Sequence, residues 1–338
     1  METTILNRPS WKPIRSIIGS TTGKRPKSIA PAIKLTQIAL HAMPRLTRVS
    51  TLSFVYAKTP DGRADKETFL IFPEVLRIVG HRLRHLHIQS PFAIHLPLQL
   101  GPLESFSVDA AGPCHRLEIH NIMLDKVPAF LLAHHSTIRD VSFSIDNPTL
   151  DITPILQCLW DMSCLHTIGL SLPYGRFSSA CSVDFQGGRE ILEKHQRHLR
   201  SLSISFVEIG WTVPESFRQD WCPARLPELR DLTIHVPGVP FRQELGSCIR
   251  RFSSSLVSLK IMHVPFSAHV SNRSFCEMLG HLRCLEDLSL YLSSFNIDQL
   301  GVFATTLPHL CSLLLHYSYL PLQINPVSPL YLRCLKRC

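Results

Sequence analysis

Eighteen histidines and eleven cysteines are the side chains of this 338-residue chain best suited to chemistry. Imidazole serves as base, acid or metal ligand near neutral pH, and a thiolate as nucleophile or soft ligand. Their spacing argues for a plainer use. His134, His195 and His281 each stand four residues before an apolar anchor (Ile138, Leu199, Leu285), and Phe252 takes that place before Leu256. A position that phenylalanine can fill serves the fold. Near a helix C-terminus, imidazole can bond the last free carbonyls and suits the negative end of the dipole. The cysteines show no CxxC pair and no zinc-type spacing with histidine; Cys114, Cys164, Cys284 and Cys311 sit at or beside apolar positions, where a thiol behaves as a small hydrophobe. Ile17 to Lys24 follows a phosphate-loop pattern only loosely: three residues separate Gly19 from Gly23, and Arg25 replaces the hydroxyl that would hold magnesium. No GxSxG elbow, HExxH helix or dinucleotide fingerprint occurs. The expectation is no catalysis, no metal and no cofactor, with a hydrolase site assembled across distant segments as the alternative from another class.

What repeats instead is an apolar grammar. Ile191 to Ile204 reads as a helix end running into a strand, with Leu199, Leu202 and Ile204 spaced LxxLxL. The spacing recurs as Leu229-Leu232-Ile234, Leu256-Leu259-Ile261, Leu285-Leu288-Leu290 and Leu310-Leu313-Leu315 downstream. Upstream it recurs as Leu165-Ile168-Leu170, Ile138-Val141-Phe143, Leu83-Leu86-Ile88 and, more weakly, Val49-Leu52-Phe54. Leu103-Phe106-Val108 and Cys114-Leu117-Ile119 both fit but lie too close for a helix between them, so one is expected to be a loop strand. From Ile138 onward the anchors recur every 25 to 34 residues, near and above the roughly 20–29 of leucine-rich repeats.

These units predict an α/β fold: an irregular leucine-rich-repeat solenoid, a horseshoe with a parallel concave sheet and helices on the convex side, each unit burying its apolar side against its neighbours. Helices are expected over 31–43, 73–80, 128–134, 155–162 and 189–195, and near 241–252, 275–280 and 297–305. Trp211 and Trp221 fall in an insertion, and Tyr331 to Leu335 reads as a broken final repeat.

Charge divides the chain. Residues 1–50 carry nine Lys and Arg against Glu2 alone, while the other 288 residues carry 26 basic and 25 acidic groups. Residues 1–30 therefore read as a disordered basic tail and 31–338 as the solenoid. The near-neutral body argues against nucleic acid as partner. No run of eighteen apolar residues suggests a membrane span, and unpaired cysteines favour a reducing compartment, hence an intracellular protein, cytoplasmic or nuclear.

A repeat surface binds through its outward positions. From Asp140 to Ser205 these are small and hydroxyl-rich, whereas His235, Met262, Tyr291 and His316 share one register on successive C-terminal strands. Strands about 5 Å apart would make them a ladder roughly 15 Å long. This concave stripe is the candidate partner-binding site, with a protein as the partner. Phe206 continues the inward alternation and is assigned to the core.

The stretches Phe130 to Val141 and His195 to Leu202 resemble the repeats of the large fungal families of F-box/leucine-rich-repeat proteins, and the similarity covers most of the chain from about Pro31. The resemblance implies a repeat region that selects a protein partner, a ubiquitination substrate in that family. It also implies an N-terminal F-box that docks on the Skp adaptor of a cullin–RING ubiquitin ligase. Residues 1–30 are too short and polar to supply such an F-box, so substrate-recognition adaptor is the alternative to a stand-alone interaction module.

Overall fold

The computed structural model describes residues 41–45, 47–55, 66–89, 96–97, 99–109, 126–145, 153–174, 186–208, 225–235, 246, 249–252, 254–262, 279–294, 303–319 and 330–333. The basic tail, Trp211, Trp221, the Cys114–Ile119 segment and most of the helices expected over 31–43, 241–252 and 275–280 lie outside them.

Among the described residues eleven strands form one sheet in strict chain order: β1 (Thr51–Val55), β2 (His85–Gln89), β3 (Ser105–Asp109), β4 (Asp140–Ser144), β5 (Thr167–Tyr174), β6 (Ser201–Glu208), β7 (Asp231–His235), β8 (Ser258–Met262), β9 (Asp287–Ser294), β10 (Ser312–Tyr319) and β11 (Leu330–Arg333). Neighbours from β1 to β10 are parallel. A parallel neighbour needs a crossover, and helices supply some of them. Among the described residues these include α1 (Lys66–Val79), α2 (Val127–Ala133), α3 (Thr153–Asp161) and α4 (Gln186–Lys194), with further helical residues at 249–251 and 303–306. The molecule is thus an open α/β fold. None of its described helices is long and apolar enough to cross a membrane.

The alternation within each motif makes the strands. In β2, Leu86 and Ile88 are buried while His85, His87 and Gln89 are half-exposed, and β3 and β7 repeat that inward pattern. The strand anchors join the helix residues in one continuous core. On α1, Phe72, Val75, Leu76 and Val79 present a buried face at helical spacing. Ring contacts tie the layers: Phe54 to Phe72 at 4.7 Å, Phe106 to Phe130 at 4.8 Å and Phe106 to Phe143 at 6.2 Å.

Each strand from β2 to β10 enters the sheet the same way. The carbonyl just before one strand accepts two N–H groups at the entry of the next, as Arg139 does from His166 and Thr167 (2.7 and 3.0 Å) and His166 from Arg200 and Ser201 (2.8 and 3.1 Å). This fixes the register, so a side chain at a given motif position faces its counterparts on both neighbours.

Four expectations need correction or refinement. First, α1 begins at Lys66 and carries Pro73 inside it, where the sequence predicted a start. A proline there forfeits one helical hydrogen bond, which the burial of Phe72 and Leu76 on either side offsets. Second, of the two closely spaced motifs it is Leu103-Phe106-Val108 that supplies the sheet strand, since β3 pairs directly with both β2 and β4 and Ser105, Ser107 and Asp109 are its outward residues. The β2–β3 link is short because Gly101 lies against the His81 backbone, where any Cβ would overlap the His81 carbonyl. Third, β11 runs antiparallel to β10, so it is no further repeat. Ten residues holding Pro321, Pro326 and Pro329 separate the two strands, fewer than the dozen or so a parallel crossover takes. Fourth, His281 is exposed, unlike His134 and His195. The turn before Leu285 is one residue shorter, with the Leu285 N–H donating to the Leu282 carbonyl (3.2 Å), so Leu282 takes the buried place.

Candidate functional site

The sheet face opposite the helices carries the first, third and fifth residues of each strand in three columns. In the third column Ser107, Ser142, Gly169, Ser203 and Thr233 are successive partners. The packing is close enough that a Cβ on Gly169 would meet Ser142 Oγ at 2.8 Å. The fifth column is larger at both ends. At one, Gln89 Nε2 donates to Asp109 Oδ2 (3.0 Å); the middle is Ser144, Ser171 and Ser205.

The C-terminal end of that column holds the predicted stripe. His235 faces Met262 and Tyr291 faces His316, while the pairing of Ile261 with Leu290 sets Met262 level with Tyr291. All four side chains are half-buried. Two are anchored by hydroxyls of neighbouring strands: Ser205 Oγ bonds His235 Nδ1 at 2.9 Å, and Ser289 Oγ lies 3.8 Å from Met262 Sδ. The fold therefore brings the four residues into one row, framed by small polar groups. The side chain of Phe206, in register with Leu172 on β5, is outside the described set.

Two of the three histidines that sequence spacing singled out, His134 and His195, lie on the buried side. The His134 N–H donates to the Leu131 carbonyl (3.1 Å) where α2 ends, and its ring packs 4.8 Å from Phe130. Its Nε2 is buried with no hydrogen-bond partner among the described residues. His195 is also buried, but Nε2 donates to the Leu159 carbonyl at 2.8 Å. The ring thus caps α3 of the preceding repeat rather than its own helix. Burial holds both imidazoles below the usual histidine range; for His195 the bond to Leu159 opposes that shift. Such rings stay neutral and serve packing. Among the described residues no three His, Cys, Asp or Glu side chains are grouped to hold a metal.

The helical side carries a feature that sequence reasoning missed. Between α3 and α4 lies a cleft of about 430 Å³ lined by Leu156, Gln157, Trp160, Asp161, Glu190 and Ile191, with Thr153 at its end. Trp160 is exposed, and Lys194 Nζ sits 4.7 Å from its ring centre and 4.0 Å from Asp161 Oδ1. The cleft arises where successive helices meet, which no single repeat reveals.

No protein-family model matches the chain, and no curated protein matches its sequence.

Proposed function

We propose that the chain is a non-catalytic protein-interaction module of the leucine-rich-repeat kind, whose concave sheet face holds a protein partner inside the cell, in cytoplasm or nucleus. One observation carries this reading: His235, Met262, Tyr291 and His316 lie level on four successive strands of the open face. Large, partly apolar side chains backed by fixed neighbours lose little freedom on binding and suit an anchoring role. The likeness of the repeats to those of fungal F-box proteins supports the same reading.

The test is capture of partners by the full chain with Tyr291→Ala and Met262→Ala combined. The reading expects the captured set to be depleted while circular dichroism and solubility stay as in the parent. An identical set would contradict it.

A further inference from the structure

The residue just before each strand forms another column, along the rim where the strands begin, because its carbonyl is the shared acceptor that locks the next strand's entry. Along the chain it runs Ser50, Arg84, Glu104, Arg139, His166, Arg200, Arg230, Val257 and Glu286, so acids stand in it at Glu104 and Glu286, outside the stretch from β4 to β7. Side chains at this level reach one another across strands, since Arg84 and Glu104 form an ion pair at 3.3 Å. From β4 to β7 the column holds four bases and no acid. Arg139, Arg200 and Arg230 are exposed, His166 is half-buried, and none of the three arginines forms an ion pair among the described residues. Nearby acids sit elsewhere: Asp140 and Asp231 open β4 and β7, and Glu228 precedes Leu229, but β5 and β6 open on Thr167 and Ser201. The uncompensated positive charge is therefore carried by Arg200, with the His166 ring beside it at the entry of β5.

His166 registers that field. Burial first, then Arg200 and Arg139, hold its imidazole below the usual range; His198 adds to them and Asp140 opposes. Like charges side by side on neighbouring strands are unfavourable. Folding does not require them here, because Val257 and Cys311 occupy the same column on later repeats. A bound anion removes the conflict.

We propose that this rim, His166, Arg200 and Arg230 flanked by Arg139, is a docking strip for an acidic, extended peptide segment of the protein partner. Four strands about 4.8 Å apart give the strip a length of roughly 14 Å. An extended peptide places same-side residues about 6.8 Å apart, so three alternate carboxylates span it. The guanidinium fork suits carboxylates, and charge-assisted bonds are the stronger class. A single file of three arginines and a histidine on a near-neutral body fits a peptide better than a duplex, which needs many phosphate contacts. The strip deepens the proposed function by giving the partner's chemistry, at a rim apart from the row His235 to His316.

The test uses the full chain and a fluorescein-labelled peptide of alternating Glu and Ser, with a Gln-for-Glu peptide as control. Anisotropy should show salt-sensitive binding of the acidic peptide, weakened about tenfold or more by Arg200→Glu with Arg230→Glu and less by Arg200→Gln. Tyr291→Ala with Met262→Ala should leave it unchanged, so failure of the strip and failure of the stripe are read separately. The His166 ring, followed by NMR, should titrate at higher pH when the acidic peptide is bound. Equal binding of the Gln peptide, undiminished binding by the folded charge-reversal variant, an unmoved His166 titration or tighter binding of a short DNA duplex would each overturn the proposal.

Discussion

Two kinds of turn deliver seven of the strands to the sheet, and the same LxxLxL follows both. In the longer, the anchor N–H donates four residues back: Ile138 to His134 (3.1 Å), Leu199 to His195 (2.9 Å) and Leu256 to Phe252 (3.3 Å). In the shorter it donates three back, from Leu83 to Gly80, Leu229 to Leu226, Leu285 to Leu282 and Leu310 to Leu307, each at 3.2 Å. The residue that closes the turn is buried in every case, a ring in the first kind and leucine or glycine in the second. One extra residue widens the turn, and an aromatic ring or imidazole fills the volume. Histidine is thus kept here for its size and for a carbonyl it can meet, and the chemistry latent in the ring is incidental.

Breaking what both kinds share has the largest expected effect. Leu288 is buried on β9, and Leu288→Asp places an unpaired charge in the common core, at a loss of more than about 4 kcal/mol. A soluble, cooperative variant in denaturant unfolding would remove the repeat assignment there. His195→Ala comes next. It empties the longer turn and removes one of the two donors to the Leu159 carbonyl, which keeps the Met162 N–H at 3.3 Å, for a loss of about 2–3 kcal/mol. His195→Phe should recover the packing and leave a deficit of about 1 kcal/mol from the lost hydrogen bond.

Among the turns, acid should act on the two longer ones closed by a buried histidine, and His166, also held low, adds to the loss from the strand rim. The two rings titrate below their unfolded value near 6.5, so between the folded and unfolded pKa the unfolded chain binds more protons. Their contribution is present above about pH 6.5 and lost as pH falls. Thermal midpoints measured from pH 7 to pH 5 should drop, and drop less in His134→Phe. At neutral pH that substitution removes a buried nitrogen without a described partner, so it should be neutral or stabilising by up to about 1 kcal/mol. A marked loss would mean the ring has a role the packing does not reveal. The smallest effect belongs to the shorter turn: exposed His281→Ala should stay within about 0.5 kcal/mol.

Much of this was legible in the sequence because burial writes a period of two into each strand. Leu202 and Ile204 had to face inward, and register then fixed which outward side chains meet. The row from His235 to His316 followed from the anchors alone. What escaped notice depends on neighbours. A net charge summed over 288 residues hides the file from Arg139 to Arg230, since Asp140 and Asp231 cancel two of those charges in the sum while lying elsewhere on the rim. The antiparallel return of β11, the interior Pro73 and the cleft beside Trp160 likewise arise between elements. His281 shared its spacing with His134 and His195, but the length of the turn decides which residue is buried.

The central claim is that partners are held on the strand side and not on the helical side. Photocrosslinking from the full chain in cells compares the two directly, with a photoreactive residue at exposed Lys260 on β8 or at exposed Gln157 on α3. Covalent adducts to a protein from position 260 and none from position 157 are the predicted result; adducts from position 157 alone would contradict it.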